Sequence, residues 1–437
     1  MRWLLNVIYV IVLLAASPWL AWAAWRKGKY REGFAEKFLG RVAPRTSLRP
    51  CVWLHAVSVG EVNLLGTLID ELRRRRPDLE FVISTTTQTG HAVARSRYAA
   101  EHTVIYCPLD FSWAVNKAMQ RMRPELLVLA ELELWPNLIA AARRHGARVA
   151  VVNGRMSEHS FRGYHRLRPL VRQLLGQLDC LAVQTPVYAE RFLALGAPQS
   201  IVSITGSMKF DGAQPDRGNQ TTESLKQLAG IARDDIVLLA GSTQSPEEQM
   251  AFDAYRQLTV SHPRLRLILV PRHPDRFDEV AQMLDGAGIA WQRRTKLHSS
   301  GSDSGSRVLL VDRMGELGAW WGAAQIAFVG GTFGDREGQN MIEPAAYGAA
   351  VCFGPRTRNF RDVVALLLDR KAAVVVSDAS ELKTFVQRCL EQPEYAAELG
   401  QNARQAVAEQ LGATRRTVEL LLPLLGTAAN AADRDAA

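Results

Sequence analysis

Glu61 stands in WLHAVSVGEVNLL, just after an apolar run and a glycine turn, where a helix begins. A carboxylate there can act as a general base if burial raises its pKa, and it can equally stabilise a helix N-terminus through the dipole. ELELWPN supplies Glu131 and Glu133 after another apolar run. Standing just after a strand, they are expected to point differently, so that one of them faces the site. Lys209, in GSMKFD, can neutralise a carboxylate or phosphate, or simply be solvated.

A second group lies further on. GSTQSPEEQ can form an anion-binding turn at Gly241 to Thr243, with Pro246 and Glu247 opening a helix. PRHPDRF offers Pro271 and Arg272, and MGEL offers Met314, Gly315 and Glu316, where the glycine lets backbone approach a base closely. The densest stretch runs from Gly330 to Phe360. Its Gly-Gly turn and polar loop lead to Asn340, Met341, Ile342 and Glu343, where a helix is expected to start. A Gly-rich loop between a strand and a helix presents free N–H groups to phosphate. Glu343 is then placed to bind a ribose.

Short, mostly unalternating apolar runs position these residues. Seven candidate strands lie before the polar segment 211–224 and six after it: Cys51–His55, Phe81–Ser84, Thr103–Tyr106, Leu126–Ala130, Arg148–Val152, Cys180–Gln184 and Ile201–Thr205, then Ile236–Ala240, Leu265–Val270, Val308–Val311, Gln325–Val329, Ala350–Phe353 and Ala373–Val376. Such runs separated by helical stretches predict parallel sheets covered on both faces. Two sets around a linker predict two Rossmann-like α/β domains, 45–210 and 225–420, sharing a cleft.

Trp3 to Trp25 carries no charged residue and is followed at once by Arg26, Lys27, Lys29 and Arg31. Residues 1–27 therefore read as a single-pass membrane anchor with the domains cytoplasmic. A cleaved signal peptide is the competing reading, because Ala21-Trp22-Ala23 fits a cleavage site. Residues 298–306 read as a surface insertion and 426–437 as a disordered tail.

The 437 residues carry a net charge of +9, which favours an anionic partner such as an acidic sugar phosphate or anionic lipid. No nucleic-acid module is present. The basic run Arg73 to Arg76 suits either a solvated helix end or lipid headgroups, and Arg155, Arg162, Arg166 and Arg168 suit a phosphorylated acceptor. The five cysteines are scattered without CxxC, so buried thiols are expected, with no disulfide and no metal framework.

In order along the chain, HAVSVGEV, ELELWPNLI, VNGRMS, TGSMKFD, GSTQSPEE, PRHPDRF, MGEL, NMIEPAAYG and GPRTRNF resemble the 3-deoxy-D-manno-octulosonic acid (Kdo) transferases of lipopolysaccharide synthesis. The resemblance implies a two-domain GT-B glycosyltransferase that moves Kdo from CMP-Kdo to a lipid A precursor at the inner membrane, with no cofactor. It implies Glu61 as catalytic base, and Glu131 and Lys209 as groups stabilising the transition state. Pro271-Arg272, Met314 to Glu316 and Asn340 to Glu343 would hold CMP. The chain departs from the family pattern at Gln244, at Glu337 and Gln339, and at Arg356, where histidines and a glycine are usual. A GT-B-like sugar-nucleotide epimerase and a membrane-anchored binding protein with a degenerate site are the alternatives.

Overall fold

Seven apolar runs of the first half become β1 (Cys51–His55), β2 (Glu80–Thr85), β3 (Thr103–Tyr106), β4 (Leu126–Ala130), β5 (Arg148–Gly154), β6 (Cys180–Val183) and β7 (Val202–Ile204). They pair in parallel in the order β3-β2-β1-β4-β5-β6-β7. Alternate residues serve opposite faces: Trp53 packs in one core, and Val52 and Leu54 in the other. Both faces are thus apolar, which is why the runs do not alternate. The direction of strand succession reverses between β1 and β4, where Leu54 lies beside Val128. Loops at such a reversal diverge and leave room for a ligand.

The second sheet comprises β8 (Ile236–Thr243), β9 (Leu265–Pro271), β10 (Trp291–Arg293), β11 (Val308–Leu310), β12 (Ile326–Val329), β13 (Ala350–Phe353) and β14 (Ala373–Val375). It is also parallel, in the order β10-β11-β9-β8-β12-β13-β14, and reverses between β8 and β12. The sequence did not reveal β10. It is a short, half-buried edge strand reading Trp-Gln-Arg, with no apolar run to mark it.

The computed structural model describes residues 2–27, 32–297 and 305–426. The expected surface insertion and disordered tail fall largely outside these residues. The chain divides into two units, one of Met1–Gly212 with the chain from Leu411 onward, the other Ala213–Gln410. The helix Ala413–Leu421, expected in the second domain, belongs to the first. It buries Ala413, Val418 and Leu421 in that core. The Asp211 carboxylate also accepts from the N–H groups of Gly412 and Thr414. The end of the expected linker is a helix, Gln220–Leu228, capped by Asn219 through the N–H of Thr222 at 3.0 Å.

The N-terminal segment is a helix, Arg2–Lys27, but not the expected single-pass anchor. Among the described residues no helix is long and apolar enough to cross a membrane. Asn6 bonds to Ser112, and Tyr9 to Asp110. Phe111 touches both the Tyr9 ring and that of Phe38, which lies beyond the helix in the chain. The first third of the helix and the chain that follows it are therefore tied to the same domain, which a crossing would separate.

Arg73 to Arg76 end the helix Val59–Arg75 and pair with Glu101, Glu71 and Asp78, as a solvated helix end does. All five cysteines are buried and unpaired.

Candidate functional site

In the first unit Glu61 and Glu131 leave the carboxyl ends of β1 and β4, the two strands at the reversal. Ser58 caps the helix Val59–Arg75 in a reciprocal arrangement. Its Oγ accepts from the Glu61 N–H at 3.3 Å and donates to Glu61 Oε1 at 2.7 Å. Glu61 Oε2 accepts from the Val57 N–H at 2.9 Å. The helix-stabilising role is thus present, and the cap fixes where the carboxylate points. Burial raises the Glu61 pKa above the usual carboxylate range, opposed by the bonds from Val57 and Ser58. The neighbouring Glu131 charge adds to the rise and Lys209 opposes it.

Glu131 is buried and lies between two cations. Its Oε1 meets Lys209 Nζ at 3.0 Å and its Oε2 meets Arg155 Nε at 2.8 Å. Lys209 is carried by the turn Met208–Phe210 after β7, and Asn153 at the end of β5 holds that turn through the Met208 N–H at 3.0 Å. Each Glu131 oxygen therefore has a cationic partner.

Glu133 lies in the turn that follows β4, in which Glu131 has a φ of 55°. Strand periodicity does not apply there, and Glu133 feels the charges of both Glu61 and Glu131. Burial pushes its pKa up to about 7, against a bond from Trp135 Nε1 at 2.8 Å.

In the second unit Asn340 Oδ1 accepts from the Ile342 N–H at 3.1 Å, and its Nδ2 donates to Glu343 Oε1 at 2.9 Å. The helix that follows is only Ile342–Ala346. Met341 and Ile342 are buried. Burial raises the Glu343 pKa, while the Asn340 bond and the nearby Arg272 charge lower it. Pro271 ends β9, and the Arg272 N–H donates to the Thr243 carbonyl at 3.0 Å. Met314 is exposed and Gly315 has a φ of 89°, a conformation that favours glycine. The Glu316 carboxylate is occupied by Arg294, with two bonds of 2.8 Å, so this segment offers its backbone rather than that side chain.

The Gly-Gly loop differs from expectation. The N–H groups of Gly331, Thr332 and Phe333, read from sequence as a phosphate cradle, donate to Glu247 at 2.7, 2.8 and 3.1 Å. The Gln244 N–H adds a fourth bond at 2.9 Å. Glu247 is 1% exposed and acts as an internal anion that shapes the loop. The sequence marked it only as a helix opener, because three of its four partners lie far along the chain. Among the described residues no group of three or more His, Cys, Asp or Glu is placed to hold a metal ion.

Known proteins share this organisation. The family model described as 3-deoxy-D-manno-octulosonic-acid transferase (kdotransferase) matches residues 30–212. The chain is 34% identical over 436 residues to the 3-deoxy-D-manno-octulosonic acid transferase of Bordetella pertussis, covering 96% of this chain and 99% of that one. The chain belongs to the 3-deoxy-D-manno-octulosonic acid transferase family. The Haemophilus influenzae member is 30% identical over 96% of this chain and 99% of its own. Among solved structures, a glycosyltransferase from Rickettsia africae aligns with a TM-score of 0.56 at 11% identity, covering 86% of this chain and 98% of that one. A UDP-GlcNAc 2-epimerase from Neisseria meningitidis aligns at 0.57 and 13%, covering 85% and 100%. At such identities the likeness is one of fold.

The four positions read from sequence as departures from the family pattern lie in the second unit. Gln244 stands at the β8 end, with its Nε2 buried and unpartnered. Gln339 packs against Gly331, which has a φ of 69°. Glu337 also has a positive φ, 55°, and its carbonyl accepts from the Asn359 N–H at 2.9 Å. Arg356 pairs with the exposed Asp335 at 3.1 Å. It lines a cavity of about 360 Å³ with Glu337, Thr357, Arg358 and Arg361.

Proposed function

We propose that this protein is an inverting glycosyltransferase that moves Kdo from CMP-Kdo to a lipid A precursor, a tetraacyl disaccharide phosphate. Membership of the Kdo transferase family, with matches over nearly the whole chain, carries the proposal. The side chains support it residue by residue. Glu61, held by its cap and made more basic by burial, takes the proton from the attacking acceptor hydroxyl. The new bond forms at the anomeric carbon as its bond to the CMP phosphate breaks. Positive charge develops on the sugar, and Glu131 answers it. Lys209, balanced against Glu131, meets the Kdo carboxylate.

CMP is assigned to the second unit. Glu343, oriented by Asn340, takes the ribose hydroxyls, and Arg272 stabilises the departing phosphate. The backbone from Met314 to Glu316 lies against the base, where Gly315 permits close approach.

The acceptor is a lipid, and the helix Arg2–Lys27 exposes Val7, Ile11, Val12, Leu14, Trp19 and Trp25. An apolar face of this kind, next to a basic chain, suits residence at an anionic membrane surface. The cytoplasmic face of the inner membrane is the surface that also holds such an acceptor.

The test is incubation of the purified protein with CMP-Kdo and the tetraacyl precursor. A gain of Kdo mass on the lipid with release of CMP is expected. Neither appearing would overturn the proposal.

A further inference from the structure

The helix Pro136–Arg144, which follows the Glu131–Glu133 turn, has no side-chain cap of its own. A remote carboxylate replaces it. Asp110 accepts from the Asn137 N–H at 3.0 Å and from the Leu138 N–H at 2.8 Å. The Asn137 side chain completes the contact by donating to the Asp110 carbonyl at 2.6 Å.

The N-terminal helix holds this cap in place. The Tyr9 hydroxyl donates to the Asp110 carboxylate at 3.0 Å. Asn6 Oδ1 accepts from the Ser112 N–H at 3.0 Å and from the Asn137 amide at 3.4 Å, while Asn6 Nδ2 donates to Ser112 Oγ at 2.7 Å. Asn6, Asp110 and Asn137 are buried, at 4%, 4% and 2% exposure. Apolar contact alone would hold a helix on a domain, whereas buried polar groups fix one geometry because any shift leaves them unsatisfied.

The fixed point lies close in sequence to the acidic side chains. Between Ala130 and Pro136 the chain makes successive tight turns, Glu133 to Ala130, Leu134 to Leu132 and Trp135 to Glu133, and the Trp135 indole holds the Glu133 carboxylate. Displacement at Asn137 would therefore reach Glu131 and Glu133.

We infer that Asn6, Tyr9 and Asp110 are positioning residues for the transfer reaction, setting the Glu131–Glu133 turn from the N-terminal helix. The inference rests on the transferase reading above. It makes turnover depend on how that helix is docked.

The test uses the full chain carrying Asn6→Ala, Tyr9→Phe or Asp110→Asn, with Arg45→Ala as a control. Arg45 also bonds several backbone carbonyls and Glu80, but at the amino ends of the strands. Each positioning variant is expected to lower kcat roughly tenfold, to leave the KM for CMP-Kdo within about twofold, and to speed amide exchange in 131–138. Tyr9→Phe should add less than about twofold when Asp110 is already Asn, since the two act in one chain of bonds. Arg45→Ala should lower the melting temperature without these changes. Unchanged exchange in 131–138, or faster exchange at full kcat, would overturn the inference. The exchange measurement needs no turnover, so an inactive wild type would count against the transferase reading alone.

Discussion

Lys209 and Glu131 form an ion pair of 3.0 Å between the turn after β7 and the turn after β4. Arg155 takes the other Glu131 oxygen, so Lys209 can turn to an incoming carboxylate without leaving Glu131 unpaired.

Lys209→Ala should therefore lower kcat strongly, by roughly 10²-fold, the scale of losing one electrostatic contact to developing charge. CMP affinity should stay unchanged, because the residues assigned to CMP lie in the other unit. Steady-state kinetics together with CMP titration calorimetry checks both. Lys209→Arg should recover part of the rate.

Glu133 gives a prediction in pH. Its folded pKa of about 7 lies above the ordinary carboxylate value, so the folded state holds this proton more tightly than the unfolded chain. Below the unfolded pKa the side chain costs nothing. As pH rises toward 7 the unfolded chain ionises first and stability is lost. Glu133→Gln removes that loss. Discounted for partial exposure, the variant should gain about 1–2 kcal/mol relative to wild type at pH 8 compared with pH 5. Urea unfolding at the two pH values measures it.

Thirteen of the strands were legible as short apolar runs, most of them buried on both faces, and β10 was not because its Trp-Gln-Arg edge has no such run. The helix start beside Glu61 was legible from its place just after an apolar run. What sequence could not show was which loops meet. Strand order brings the end of β1 beside the end of β4, and the end of β8 beside the end of β12. Glu247 therefore fills a loop that reads as a phosphate cradle, and Asp110 caps a helix that begins far beyond it.

Glu247→Gln should destabilise the second unit. The carboxylate accepts from four backbone N–H groups, and an amide keeps a single acceptor oxygen while adding a donor beside them. A loss of about 2–3 kcal/mol is expected in denaturant unfolding. CMP binding should weaken as well, since the loop leads into Asn340.

Asn340→Ala should act on nucleotide rather than on turnover. It frees Glu343 Oε1 and removes the acceptor for the Ile342 N–H. CMP affinity should fall about tenfold, the scale of one lost oriented bond, with kcat at saturating donor within about threefold. Calorimetry with CMP alone reads the first, and saturation kinetics the second.

The central claim is that the capped, buried carboxylate of Glu61 is the base of Kdo transfer. The direct measurement is the rate of CMP release from CMP-Kdo in the presence of acceptor, wild type against Glu61→Gln. The amide can still accept at the cap, so the helix start should persist while the base is lost. A fall of about 10²–10⁴-fold with CMP affinity unchanged is predicted. Full turnover by Glu61→Gln would contradict the account.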